Sequence, residues 1–120
     1  MDKLTKREEE YMHVLWKLDK AFIKDIIANL PDPKPHYNTV ATILKILRDK
    51  GVVDHEKFGN TYRFYPKIEK EAYQKKALKD ILSGYFDNSY TNLVTYFAKE
   101  EKISPAELES IAKLIKKAKN

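Results

Sequence analysis

The chain has 120 residues, the length of one compact domain or of a small domain with an appendage, and 42% of them are apolar with a formal net charge of +5. No apolar run approaches the roughly 20 residues of a membrane-spanning helix, and the first residues lack the apolar stretch of a signal peptide, so we expect a cytoplasmic protein. There is no cysteine, the three histidines lie far apart, and no phosphate loop or nucleophile motif is present, so we predict no metal site, no cofactor and no enzyme activity.

Two helices are predicted at the N-terminal end of the chain. Thr5 and Glu8 have the spacing of a capping box, in which the two residues satisfy each other's backbone N–H groups at the start of a helix. A second helix is predicted from about Phe22 to Leu30, and Pro31 ends it because proline cannot donate to the helical hydrogen-bond ladder. The apolar residues of the first helix recur at helical spacing at Tyr11, Met12, Leu15, Trp16 and Leu18.

A third helix and a β-hairpin follow. The proline-rich connection 31–35 is stiff and extended, and it leads into a helix predicted over residues 36–50, which Gly51 ends. Gly59 and Asn60 are a turn signal between two short runs of β-forming residues, a pattern typical of a hairpin. Three helices followed by a hairpin are the arrangement of a winged helix-turn-helix domain.

Three more helices are predicted in the second half of the chain. From residue 69 onward, apolar residues again recur at the i, i+3, i+4, i+7 spacing of an amphipathic helix. Ser104 and Glu107 have the spacing of a second capping box, with Pro105 at the first helical position of the last helix. The predicted fold is therefore mainly α with a small β-hairpin.

The third helix is the candidate DNA-reading element, since the major groove admits an α-helix. Its apolar stripe must face the first two helices, which leaves asparagine, threonine, alanine and lysine on the opposite face. Asparagine and threonine can hydrogen-bond to base edges, alanine and threonine methyl groups can touch thymine, and lysine can hold phosphate. The predicted DNA-binding residues are Tyr37, Asn38, Thr39, Ala41, Thr42, Lys45 and Arg48 of this helix, and Lys57, Asn60 and Arg63 of the wing.

Charge and architecture bear differently on this hypothesis. Residues 34–63 hold six basic and three acidic residues, so this segment carries a net charge of +3, which suits contact with phosphate. The architecture alone leaves an alternative open, because winged helices also serve as protein–protein interaction modules that do not bind DNA. The lysines that flank the polar face argue against this alternative, since protein interfaces are depleted in lysine.

The second half is predicted to make the protein a homodimer. The last three helices are too few and too short for a core of their own, yet they carry many aromatic and aliphatic side chains that would form a large exposed patch. Burial against a second copy would cover this patch, and the alternative is that the helices pack on the N-terminal domain of the same chain. We assign residues 1–67 to a winged helix DNA-binding domain and residues 68–120 to a helical dimerisation domain. The predicted dimerisation residues are Leu78, Leu82, Tyr85, Phe86, Leu93, Val94, Phe97, Leu108, Ile111 and Ile115.

Several of these segments together resemble a known family. The first helix has the spacing Glu8-x-x-x-Met12-x-x-x-Trp16, and Leu93-Val94-x-x-Phe97 lies in the fifth helix. Between them lies the third-helix run Asn38-Thr39-Val40-Ala41-Thr42-Ile43-Leu44. With these segments in this order, the chain resembles the penicillinase-repressor (BlaI/MecI/CopY) family of bacterial transcription regulators over nearly its whole length.

The resemblance implies a homodimeric repressor of dyad-symmetric operators, with bases read by the third helix at the positions that are Asn38, Thr39, Ala41 and Thr42 here. In the antibiotic-responsive branch, a membrane sensor-protease system triggers cleavage inside the fifth helix. The corresponding bond here is Tyr96–Phe97, and Tyr96 stands where the family usually has asparagine. The copper-responsive branch uses C-terminal cysteines, so their absence excludes copper sensing of that type.

Overall fold

The computed structural model describes residues 3–100 and 103–119. Met1 and Asp2 lie outside the described residues, and they begin the N-terminal segment that was considered for a signal peptide. Residues 101–102 and 120 of the predicted second domain lie outside them as well. Within the described part the fold is mainly helical with a small antiparallel sheet, which confirms the predicted class. Its elements are α1 (Lys6–Leu18), β1 (Ala21–Phe22), α2 (Ile23–Ala28), α3 (Tyr37–Asp49), β2 (Val53–Phe58), β3 (Thr61–Pro66), α4 (Lys70–Tyr85), α5 (Tyr90–Lys99) and α6 (Pro105–Lys119).

The capping box at the start of α1 is formed as its spacing predicts. Glu8 N donates to Thr5 Oγ1 over 3.1 Å, and Thr5 N donates to Glu8 Oε1 over 2.7 Å. The same carboxylate accepts from Lys50 Nζ, at 2.7 and 3.1 Å to its two oxygens. Burial raises the pKa of Glu8, but the hydrogen bonds from Lys50 and Thr5 outweigh it and hold that pKa below its ordinary value. The start of α1 is thereby joined to the C-cap of α3.

The sheet has one more strand than the predicted hairpin. The strands β2 and β3 pair antiparallel around Gly59, whose φ of 60° is a conformation that glycine adopts without a Cβ clash. The short strand β1 pairs with the other edge of β3, with Ala21 opposite Phe64 and Phe22 opposite Arg63. The second helix therefore begins at Ile23, because Phe22 belongs to the strand. Two residues carry no alternating pattern, so this strand depends on pairing with residues far along the chain.

One hydrophobic core unites the first three helices and the sheet. It takes the apolar stripe of α3, as predicted, together with Phe64 on the inner face of β3. Its members with almost no exposed surface are Met12, Leu15, Ile26, Val40, Leu44, Leu47, Val52 and Val53. Since the α3 stripe is used up in this core, the opposite face of the helix remains at the surface.

The beginning of α4 is attached to α1. The indole Nε1 of Trp16 donates to the carbonyl of Ile68 over 2.9 Å, and its ring lies 5.5 Å from the ring of Tyr73. The Tyr73 hydroxyl donates to Glu9 Oε2 over 2.6 Å. The chain divides into two compact units, Met1–Gln74 and Lys75–Asn120, so the division falls inside α4 rather than before it. The functional domain ranges 1–67 and 68–120 stay a prediction.

The second unit consists of the rest of α4 and the helices α5 and α6. Ser89 Oγ caps α5 by accepting from Asn92 N over 3.0 Å, and Ser104 Oγ caps α6 by accepting from Glu107 N over 3.1 Å. Among the described residues of this unit, only the side chain of Leu82 is buried. In the part of the chain that the structure describes, no helix is both long and apolar enough to cross a membrane.

Candidate nucleic-acid interface

The helix α3 presents a polar face opposite its buried stripe. Asn38, Thr42 and Lys45 are exposed on this face, and Thr39 and Ala41 are half-buried at its edge. The side chain of the N-cap residue His36 makes no capping hydrogen bond to the first turn of the helix. The small side chains allow the helix backbone to approach a partner closely, as major-groove contact requires.

Hydrogen bonds on this face leave it able to read bases. The hydroxyl of Thr42 donates to the carbonyl of Asn38 over 2.9 Å, so its hydrogen is used within the helix. Its oxygen can still accept a hydrogen bond and its methyl group can contact a thymine methyl. Lys45 forms no ion pair with any residue that the structure describes, which leaves its charge for a phosphate.

Arg48 lies near the end of α3 and faces the wing. Its Nε is 3.6 Å from Asp54 Oδ1, and both side chains remain about two-fifths exposed. The backbone N–H of His55, which donates to Asp54 over 2.8 Å, is the main reason that the pKa of Asp54 is lowered, and Arg48 adds to it. Part of the Arg48 charge is therefore balanced within the protein.

The wing residues predicted to hold phosphate differ from one another. Lys57 and Asn60 are exposed at or beside the turn. Arg63, by contrast, donates from Nε to Glu56 Oε1 over 2.9 Å, and its guanidinium lies 4.4 Å from the centre of the Phe58 ring. The bond from Arg63 is the main cause that lowers the pKa of Glu56. Arg63 thus has a carboxylate and an aromatic partner inside the wing, whereas Lys57 has neither among residues 3–100 and 103–119.

A cleft of about 300 Å³ beside the start of α3 brings in residues that the sequence did not single out. It is lined by the exposed ring of Tyr37, by Phe22 and Lys24 at the start of α2, and by Thr61 at the tip of the wing. Lys24 and Thr61 carry a charge and a hydroxyl suited to a DNA backbone. Their sequence signal is weak, because the strand β1, whose pairing brings the start of α2 beside the wing, has only two residues.

The predicted dimerisation residues lie mostly at the surface of the second unit. Leu82 differs from the rest because its side chain is 4% exposed and already buried. The neighbouring positions Ile81 and Leu114 are exposed apolar residues that the predicted set lacks, although both continue its helical spacing. The exposed members of the set are Leu78, Tyr85, Val94, Phe97, Ile111 and Ile115, and the half-buried ones are Phe86, Leu93 and Leu108.

The bond suggested for cleavage lies within the helical part of α5. Tyr96 and Phe97 have ring centroids 5.7 Å apart, and the ring of Tyr96 is also 5.8 Å from that of Phe86. Both side chains are exposed.

No group of three or more metal-ligating side chains converges within residues 3–100 and 103–119.

Comparisons with known proteins identify the family of this chain. A family model described as "Penicillinase repressor" matches residues 4–117. The methicillin resistance regulatory protein MecI of Staphylococcus aureus is 24% identical over 95% of this chain and 94% of its own length. The penicillinase repressor of Bacillus licheniformis is 24% identical over 98% of this chain and 92% of its own length.

Among solved structures, that of the CopR repressor has a TM-score of 0.47 and 29% identity, covering 57% of this chain and 100% of the other. The family assignment depends on the match to the penicillinase repressor family, because that match extends through both compact units. The chain belongs to the penicillinase repressor family, and it is a DNA-binding transcriptional regulator.

Proposed function

We propose that the protein is a homodimeric repressor that places α3 of each copy in the major groove of a palindromic operator. The observation that carries this proposal is the division of α3 into a buried apolar stripe and an uncovered face of small polar side chains. In this arrangement Asn38, Thr39, Ala41 and Thr42 contact base edges, and Lys45 contacts phosphate. One relative is named as a methicillin resistance regulatory protein, which supports a role for this protein in controlling antibiotic resistance.

The wing and the start of α2 complete the proposed contact. Lys57 and Asn60 have exposed side chains at or beside the turn of the hairpin. Tyr37, Lys24 and Thr61 line one cleft beside α3. Contacts from these groups to the sugar-phosphate backbone would set the register of the helix without reading sequence. Arg63 contributes less, because its pairing with Glu56 would have to be broken first.

Exposed apolar side chains in the second unit support a dimer. On α5, Tyr90, Val94 and Phe97 follow one another at helical spacing, and none of the described residues of this helix is buried. Ile111, Leu114 and Ile115 form a similar exposed row on α6. A second copy related by a two-fold axis would cover these rows and present two reading helices about one turn of DNA, or roughly 34 Å, apart.

Binding to a fluorescent palindromic duplex, with the sequence taken from sites mapped in the genome, tests the DNA contact. If each half makes roughly 3 to 5 phosphate contacts, affinity falls on the order of a thousandfold or more between 50 and 200 mM salt. Thr42→Glu should abolish specific binding, because it places a negative charge against the base edges, while light scattering still gives the mass of a dimer. Salt-insensitive binding, or a monomer at micromolar concentration, would contradict the proposal.

Lysine substitutions provide a matched pair for the phosphate contact. Lys45→Gln and Lys17→Gln each remove one exposed positive charge, from α3 and from α1. Only Lys45→Gln should reduce the slope of log affinity against log salt, by about 1 for each copy in the complex. Equal effects of the two changes would mean that overall charge, rather than α3, governs binding.

We propose further that repression ends when an upstream signal, acting through a membrane sensor-protease system, leads to cleavage of the Tyr96–Phe97 bond. Cleavage there would separate α6 and the end of α5 from the remainder of the dimerisation surface. The exposure of both side chains supports access, although a protease must first unwind the helix around them. Mass spectrometry of the protein from cells treated with a penicillin should then detect fragments 1–96 and 97–120. Intact chain alone, in cells where repression is lifted, would overturn this step.

A further inference from the structure

A second cleft in the first unit lies between α1 and the proline-rich connection that leads from α2 to α3. Its volume is about 350 Å³, which is within the range of small-molecule sites. Leu30, Pro31, Pro33 and Pro35 line one side with apolar surface. Three of these are prolines, whose fixed backbone angles keep the wall in place without a bound partner.

The opposite side of this cleft contains a buried hydroxyl without an acceptor. Tyr11 is 2% exposed, and its hydroxyl donates to no acceptor among the residues that the structure describes. A buried donor without an acceptor is costly, and most such groups in folded proteins are satisfied. Burial raises the pKa of the Tyr11 phenol above its ordinary value, although the charge of Arg7 and a hydrogen bond from its side chain act in the opposite direction, so the hydroxyl keeps its proton at neutral pH. It is therefore a donor that lacks an acceptor.

Charged residues at the rim of the cleft are mainly positive. Lys6 and Arg7, in the first turn of α1, and Glu10 are exposed and line it. Neither Lys6 nor Arg7 forms an ion pair with another residue in the described ranges. The first turn of α1 also adds the positive end of the helix dipole. Two cations, a helix start and an unpaired donor together favour an anion.

We propose that this cleft binds a small organic carboxylate with an apolar ring. The ring would lie against the prolines, and the carboxylate would face Lys6 and Arg7 and accept from the Tyr11 hydroxyl after a small shift of the side chains around it. Glu10 at the rim also repels anions, but the two positive charges of Lys6 and Arg7 outweigh its single negative charge. Pro35 directly precedes His36, the N-cap of α3, so the bound molecule would touch the segment that leads into the reading helix. The proposal does not depend on how the protein binds DNA.

Titration of the ¹⁵N-labelled full-length protein with benzoate tests this assignment by NMR. Saturable shifts are expected at the amides of Arg7, Tyr11 and Leu30. Benzyl alcohol keeps the ring but lacks the charge, and acetate keeps the charge but lacks the ring, so each should bind at least about tenfold more weakly. Shifts that are spread over surface lysines, or that are the same for acetate and benzoate, would overturn the proposal.

Two tyrosine variants separate binding from folding. Tyr11→Phe should weaken benzoate binding by about tenfold or more, since a hydrogen bond to a charged group is lost. It should leave the melting temperature of the free protein unchanged or raised, because the lost hydroxyl has no acceptor there. Tyr62→Phe, at a position 43% exposed and outside both proposed binding surfaces, is the matched control and should change neither quantity. Unaltered benzoate affinity in Tyr11→Phe, or a lowered melting temperature, would contradict the role of this hydroxyl.

Discussion

The two compact units contain similar fractions of apolar residues but bury them to very different extents. In the first unit, the apolar residues of α1, α2, α3 and the sheet meet in one core, and the polar face of α3 remains outside. In the second, Leu82 is buried whereas most other large apolar residues, such as Ile81 and Leu114, are exposed. Hydrophobic burial therefore stabilises the first unit within one chain. The second presents a surface of the kind that associates with another one.

The same contrast holds between two amphipathic helices of similar length. The stripe of α3 is buried, and this decides which of its residues can face DNA. The stripe of α5 has no buried member, so its apolar side chains are still available for contact. An amphipathic pattern predicts which face of a helix seeks a partner, but it does not say whether that partner belongs to the same chain.

The largest loss of stability is expected from a substitution in the core of the first unit. Leu44 is 0% exposed, and Leu44→Ala should lower the free energy of unfolding by about 2–5 kcal/mol because it leaves a cavity. Urea unfolding followed by the fluorescence of Trp16, the single tryptophan, measures this unit directly. Leu114→Ala removes the same atoms from a side chain that is 66% exposed, and it should change this transition by less than about 0.5 kcal/mol. Equal losses in the two variants would remove the distinction between the units.

An intermediate effect is expected at the ion pair that links α1 to α3. Glu8→Gln leaves Lys50 without its carboxylate and should cost about 1.5–3 kcal/mol at pH 7. The folded pKa of Glu8 is lowered, so its stabilisation is present above the ordinary value of 4.5 and is lost as pH falls through the folded pKa. The difference between wild type and Glu8→Gln in urea unfolding should therefore shrink below that pH.

A control for this prediction lies two residues away on the same helix. Glu10 is exposed, and Glu10→Gln should change the free energy of unfolding by less than about 0.5 kcal/mol at either pH. A Glu8→Gln effect that stayed constant between pH 7 and pH 3.5 would show that the charge of this side chain does not stabilise the unit.

The smallest effect is expected at the N-cap of α5, in the second unit. Ser89→Ala removes the cap of α5 and should cost that helix about 1 kcal/mol. Amide hydrogen exchange should become faster in α5 and remain the same in α1, whose cap is separate. Ser83→Ala, inside α4, is a matched serine without a capping role and should leave α5 unaffected. Faster exchange throughout α1 after Ser89→Ala would mean that the units do not respond separately.

Local signals predicted much of this fold. Thr5 and Ser104 act as helix caps at the positions that their spacing indicated, and α3 covers Tyr37–Asp49 inside the predicted range 36–50. Capping, helical periodicity and a glycine turn involve neighbours within a few residues, so a sequence displays them directly. The strand β1 was not predicted, because pairing of Ala21 with Phe64 joins residues far apart in the chain.

The sequence predicted which residues of α3 lie on its polar face, but not which candidate residues already have partners within the protein. The polar face of α3 follows from the spacing of its apolar residues, which leaves Asn38 and Thr42 on the other side. By contrast, local sequence patterns do not indicate the pairing of Arg63 with Glu56 or the cleft that Lys24 and Thr61 line with Tyr37. Nor do they indicate that the Tyr11 hydroxyl is buried without an acceptor. The physical reason is range: periodicity and caps follow from the geometry of one helix, whereas ion pairs, clefts and unsatisfied donors depend on which distant segments pack together.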